Sequence, residues 1–205
     1  DATLAITRAA EETVLARTAS RWLGSDNLLA WPRALKLVSP ALMELSITKD
    51  FIHRTLVLSI ERSPRFGIWC VAPQPPLCWW FDREGNALEQ APTSEGSLIL
   101  RIEDNAFFIP AAGEPLYDAP HYAAVKKILS FFENGAIPAA RMALDRTKQE
   151  LSVETLDGAR LMWSTRFVPP DSLFSFLIAQ QKTGALRTAE YVDLTVENRV
   201  YLKPK

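Results

Sequence analysis

Period-2 hydrophobic alternation begins at residue 44 and, apart from two helical stretches, recurs to the end of the chain. A strand that buries one face and wets the other requires that spacing, so strands are expected to dominate the later part of the chain. Residues 44–49 carry Leu45 and Ile47 on one face. Residues 55–62 place Leu56, Leu58 and Ile60 on one side and Val57 and Ser59 on the other. Ahead of them the period is different. Val14, Leu15, Thr18, Trp22 and Leu23 fall at helical spacing within residues 11–23. Glu11 and Glu12 suit the first turn of that helix, and Gly24 supplies a stop. A second short helix is expected after Trp31, with Pro32 at a favourable first position and Pro40 ending it near Ser39. With a short strand over 2–7, the first 63 residues read strand, helix, helix, strand, strand, a small two-layer α+β unit.

From residue 66 onward strands dominate. Residues 66–71 and 77–81 predict a hairpin around a proline-rich turn, and Arg83-Glu84-Gly85-Asn86 predicts a second turn leading into 87–89. A strand is expected over 98–102. Residues 119–134 form an amphipathic helix with Val125, Ile128, Leu129 and Phe132 on one face and Gly135 as its stop. Strands follow over 140–144, 151–156 and 160–164, the last two joined by Asp157-Gly158, a strong hairpin signal. A helix over 172–183 ends at Gly184, and strands over 191–196 and 199–202 close the chain. The fold class is therefore α+β: a small β-α-α-β-β domain over 1–63, then a larger, mostly antiparallel β domain with two helices over 64–205.

Composition removes several functional classes. A net charge of −1 gives no broad field toward nucleic acid or an anionic membrane. No run of about 18 apolar residues exists, so these residues include no transmembrane helix. The glycines are dispersed singly, which excludes a phosphate-cradling loop, and no Gly-x-Ser-x-Gly elbow occurs. Of two histidines, His53 falls in a turn and His121 follows Pro120 at a helix start, where an exposed capping role is expected. The acidic neighbours Glu11/Glu12 and Glu103/Asp104 point apart on any regular element and make no acid–base dyad. No catalytic residue, metal site or cofactor is expected. Cys70 and Cys78 flank a spacer with three prolines, which excludes a helix between them. A cross-strand disulfide and two unpaired, half-buried thiols both fit that spacing; a metal site lacks the further ligands. The tryptophans read as core plus one solvent-shielded edge, or with one of them lining a contact surface, and the Trp79-Trp80 pair must place one ring on each face of its strand.

Several phrases, in order, resemble the extracytoplasmic region of the FtsQ/DivIB family of bacterial cell-division proteins. Residues 56–64, Leu-Val-Leu-Ser-Ile-Glu-Arg-Ser-Pro, resemble the last strand of the family's POTRA domain and its apolar-Glu-Arg-x-Pro junction. Gly67-Ile68-Trp69 resembles the opening of the β domain. Trp79-Trp80-Phe81-Asp82-Arg83-Glu84-Gly85 resembles the hairpin that follows, and Tyr191-Val192-Asp193-Leu194 the closing Val-Asp-Leu-Arg strand. Asn27-Leu28-Leu29 resembles the connection inside the POTRA domain. Two departures stand out: Arg8-Ala9-Ala10 occupies a place where glycine is common, and Thr195 replaces the arginine after Val-Asp-Leu.

The resemblance implies a non-catalytic divisome scaffold in the periplasm, held to the cytoplasmic membrane by an anchor upstream of Asp1. It implies FtsB-like and FtsL-like partners, bound partly by strand addition at the C-terminal edge. The contact positions it implies are Tyr191, Val192, Asp193, Leu194, Val196, Asn198, Arg199, Val200, Tyr201 and Leu202, with Arg146 pairing with an acidic partner side chain. The strand over 56–60 is a second docking edge on this view. Physical reading of the closing strand also allows an ordinary terminal strand with a protective basic end at Lys203-Pro204-Lys205. A competing whole-protein reading is a POTRA-bearing transport or secretion component that receives unfolded chains. A third, a cell-wall hydrolase or transferase, lacks a visible site.

Overall fold

The computed structural model describes residues 42–50, 52, 55–71, 76–93 and 99–205. The strand expected over 2–7, the two helices before Pro40, His53 and Leu98 lie outside the described residues. The chain divides into two compact units, Asp1–Pro64 and Arg65–Lys205.

In the first unit, β1 (Leu42–Asp50) and β2 (Thr55–Arg62) pair antiparallel, setting Leu45 opposite Ile60 and Ile47 opposite Leu58. The two alternating stretches of sequence are thus in register with each other.

The second unit is built on one nine-stranded sheet. Its strands are β3 (Gly67–Val71), β4 (Leu77–Phe81), β5 (Ala87–Ala91), β6 (Arg101–Asp104), β7 (Ala139–Asp145), β8 (Glu150–Thr155), β9 (Arg160–Ser164), β10 (Ala189–Leu194) and β11 (Tyr201–Pro204). Their order across the sheet is β11-β10-β9-β8-β7-β6-β3-β4-β5. Neighbours are mostly antiparallel, but β3–β6, β6–β7 and β9–β10 are parallel. The helices explain two of these. The chain leaves β6, passes through α1 (Ala119–Glu133) and returns as β7; it leaves β9, passes through α2 (Asp171–Thr183) and returns as β10. A crossover helix carries the chain back to the end where the strand began, so the next strand runs parallel. The architecture is α+β, with a large, mostly antiparallel sheet and few helices.

Both long helices cover one face. Val125, Ile128, Leu129 and Phe132 of α1, and Leu173, Phe174 and Leu177 of α2, share one core with Trp69, Ile102, Leu144, Val153, Trp163 and Val192 from the sheet. Burying each such side chain is worth about 1.5–3 kcal/mol, so this layer dominates the unit's stability. The opposite face is largely polar and laced by cross-strand ion pairs: Arg141 with Glu103, Arg160 with Glu154 at 3.4 Å, and Lys203 with Glu190 at 2.8 Å. Under β3 and β4 that face carries a small apolar cluster, formed by Ile68, Cys70, Cys78 and Ala91 with Trp80 against it.

Several expectations need correction. The strand expected over 98–102 is Arg101–Asp104: its parallel pairing with β3 begins at Ile68↔Arg101, with the Leu100 carbonyl taking the Ile68 N–H at 2.8 Å. The expected 191–196 strand ends at Leu194, where the Asp193 carboxylate takes the Thr195 backbone N–H (2.9 Å) and hydroxyl (2.6 Å) and turns the chain. Asn198 then adopts a left-handed conformation (φ 59°), and the Arg199 N–H bonds the Val196 carbonyl. This tight turn consumes residues expected to be strand, so the closing strand is Tyr201–Pro204 rather than 199–202. A third, four-residue helix, α3 (Ala185–Thr188), was not expected. Asp157-Gly158 sits within a four-residue connection, closed by the Thr155 N–H to Ala159 carbonyl bond, and is not a two-residue hairpin.

A candidate partner-binding edge

β11 is the outermost strand at one end of the sheet and pairs with β10 alone. Its register is Asp193↔Tyr201, Val192↔Leu202 and Tyr191↔Lys203. All four of its residues are exposed, with Tyr201 at 49% and Leu202 at 39%. Among the described residues, no strand lies on its outer side. The opposite edge differs. There Ala87 of β5 gives its N–H to Glu114 (2.8 Å) and takes the Gly113 N–H (2.6 Å), so the chain's own backbone covers the start of that strand. An uncovered edge exposes main-chain donors and acceptors that a further strand can pair with.

The expected contact positions separate into classes. Val192 and Leu194 are fully buried and act as core anchors for β10. Tyr191 and Asp193 are half-buried on the helix-free face, where the Lys203 ammonium sits 5.5 Å from the Tyr191 ring centre. Its partner Glu190 holds the Lys203 ammonium above its usual range, mainly through their hydrogen bond. Val196 is 43% exposed, Asn198 and Arg199 are exposed in the turn, and Val200 is half-buried against the core. Val196, Asn198, Arg199, Tyr201 and Leu202 are therefore the accessible members.

Arg146 stands apart from this group. It follows β7, and its guanidinium is committed inside the protein. Nε and Nη2 donate to the Asp104 carboxylate at 2.9 and 2.6 Å, and Nη2 also donates to the Leu116 carbonyl. The guanidinium carbon also lies over the Phe108 and Tyr117 rings, 4.6 and 4.7 Å from their centres. The Asp104 side chain is wholly buried and also accepts the Trp69 indole N–H (2.9 Å) and the Ala106 backbone N–H (2.9 Å). Buried carboxylates require this kind of compensation. No described contact joins Arg146 to residues 191–202. Sequence reasoning missed Asp104 as its partner, although alternation already separates Asp104 from Glu103 onto the helix-covered face.

His121 also departs from expectation. It is half-buried, not an exposed cap: Nδ1 lies 2.6 Å from the Asp118 carboxylate and Nε2 lies 3.0 Å from the Gln149 amide nitrogen. With that amide donating to Nε2, the Nδ1 proton points to Asp118. Both ring nitrogens are thus occupied. The adjacent Tyr117 hydroxyl is shared with Thr165 at 3.2 Å.

Cys70 and Cys78 lie directly opposite each other on β3 and β4, with Cα atoms 4.0 Å apart, and form a disulfide. Trp69 and Trp163 are fully buried. Trp79 faces the helices, while Trp80 lies on the other face beneath the Arg65 guanidinium at 4.7 Å. On the helix-free face two shallow depressions of about 470 and 590 Å³ share Arg160 and Met162; the second reaches Glu190, Tyr191 and Lys205. Among the described residues no cluster of three or more His, Cys, Asp or Glu side chains is arranged to hold a metal ion, and no helix is long and apolar enough to cross a membrane.

No protein-family model matches this chain, and no curated protein matches it.

Proposed function

We propose that this chain is a non-catalytic scaffold of the bacterial division machinery, of the FtsQ/DivIB type, whose C-terminal sheet edge receives an extended segment of an FtsB-like protein. On this reading an FtsL-like protein accompanies that partner, the residues over 1–63 form a POTRA domain, and an upstream anchor places both domains outside the cytoplasmic membrane. The observation that carries the reading is the position of β11, outermost in a nine-stranded sheet and exposed at every residue. Main-chain pairing would supply affinity, and the accessible side chains of Val196, Tyr201 and Leu202 would supply selectivity.

The test is isothermal titration with a peptide from the C-terminal region of an FtsB-like protein. Saturable binding is expected, and Val196→Lys is expected to weaken it by roughly tenfold or more, the effect of placing a charge at an apolar contact. A folded protein that takes up no heat from the peptide at high micromolar concentration removes the partner from the proposal.

A further inference from the structure

The uncovered edge is not a uniform ladder. In an extended strand the N–H and C=O of one residue point to the same side, and those of the next residue point to the other. The Lys205 N–H bonds the Thr188 carbonyl at 2.8 Å, so Lys205 faces β10. The register of β11 continues without a shift from Pro204 to Tyr201 on its own side, the irregularity falling between Ala189 and Tyr191 of β10. Lys203 and Tyr201 therefore face β10 as well, and Leu202 and Pro204 face outward. Proline has no N–H. Within β11, Leu202 thus carries the single outward main-chain donor, while Leu202 and Pro204 both present outward carbonyls.

We infer that the edge accepts a partner strand through Leu202 as the one complete hydrogen-bonding position within β11, and that Pro204 fixes where pairing stops. This inference rests on the proposed function and adds the partner's register to it. In antiparallel addition a single partner residue exchanges both bonds with Leu202. Two residues further along, the partner donates to the Pro204 carbonyl but leaves its own carbonyl without a donor, so that carbonyl must turn to water. The pairing ends there. A partner residue opposite Leu202 projects from the same face as Leu202, beside its 39% exposed side chain. The partner therefore carries an apolar residue at that place, and its immediate neighbours lie on the other face, next to Tyr201 and Lys203.

Backbone amide exchange measured by NMR, without and with the FtsB-like peptide, tests this directly. Without peptide, the Leu202 amide is expected to exchange quickly while those of Tyr201, Lys203 and Lys205 are protected by β10. With saturating peptide, Leu202 alone among the four is expected to gain protection, by at least tenfold. Pro204→Ala supplies a second outward donor. It is expected to tighten peptide binding roughly 2- to 10-fold, the worth of one added hydrogen bond, with the newly introduced amide protected in the complex. A folded protein that binds no peptide overturns the proposed function and this inference with it. Peptide binding that leaves the Leu202 amide unprotected, or that leaves the introduced amide exchanging freely in the variant's complex, overturns the register alone.

Discussion

Arg146 shows how a single residue's surroundings give it a role that its sequence position does not reveal. The resemblance assigns it to an acidic partner side chain; the fold gives its charge to Asp104, whose side chain is wholly buried. Removing one member of such a pair leaves the other charged and unsolvated, which typically costs about 3–5 kcal/mol. Arg146 is itself 28% exposed, so its loss falls at the lower end. Arg146→Ala is expected to lower unfolding stability by about 3 kcal/mol in urea titration, and adding Asp104→Asn is expected to restore part of that. Little change in the single variant would mean that the pair contributes nothing to the fold. Tyr122 makes a pH prediction. Burial, then the Asp82 and Glu84 carboxylates, push its phenol well above the ordinary tyrosine range, and the hydroxyl donates to the Asp82 and Arg83 carbonyls at 3.3 Å. Above pH about 10 the unfolded chain releases this proton while the folded one keeps it. Stability contributed below that point is therefore lost as pH rises further. Tyr122→Phe is expected to flatten the alkaline decline, read as the slope of unfolding free energy against pH; an unchanged slope would assign the decline to other groups.

At the scale of elements, the β3–β4 hairpin is closed in two ways. Its strands pair through Cys70↔Cys78, and the disulfide ties the same two positions. Closing so short a loop removes about 2.5 kcal/mol of unfolded-chain entropy, on a loop-entropy account. The Cys70→Ala, Cys78→Ala double variant is expected to lose about that much stability while keeping its far-ultraviolet circular dichroism, because both sites already lie in a small apolar cluster. A loss of sheet signal would show that the bond specifies the hairpin as well as stabilising it. The turn after β4 needs no covalent help. Asp82 takes the Glu84 and Asn86 backbone N–H groups at 3.0 and 2.8 Å, and Gly85 sits at φ 86° with the Tyr122 ring so close that an added Cβ would lie 2.5 Å from it. The Asp-x-x-Gly spacing read from sequence is thus an aspartate-capped turn sealed by Tyr122 of α1, and the second half of that statement is not in the spacing.

Across the molecule, the legibility of the sequence follows the range of the interactions involved. Alternation and turn chemistry are local, and they located β4 and β9 to the residue and most other strands within one or two. The same local signals located α1 and α2. Where an end is set by a side chain reaching back to the backbone, as Asp193 does to Thr195, the alternating pattern ran past the true boundary. Strand order was not legible at all. Nothing in the periodicity of β3 says that it will sit between β4 and β6, or that β6 will run parallel to β7. The candidate edge lies between these cases. Its residues alternate visibly, but that β11 is outermost depends on every pairing beneath it.

The sequence by itself determined that the second part of this chain combines many short strands with two amphipathic helices, because period and stop signals act over a few residues. It also determined which side chains can share a face. Tertiary structure alone decided that Asp104 meets Arg146, that both helices cover one face, and that Leu202 offers the single outward donor within β11, beyond which no strand lies among the described residues. Those facts depend on which distant strands come to lie side by side, and that choice is made by the free energy of burying one common core rather than by any local preference.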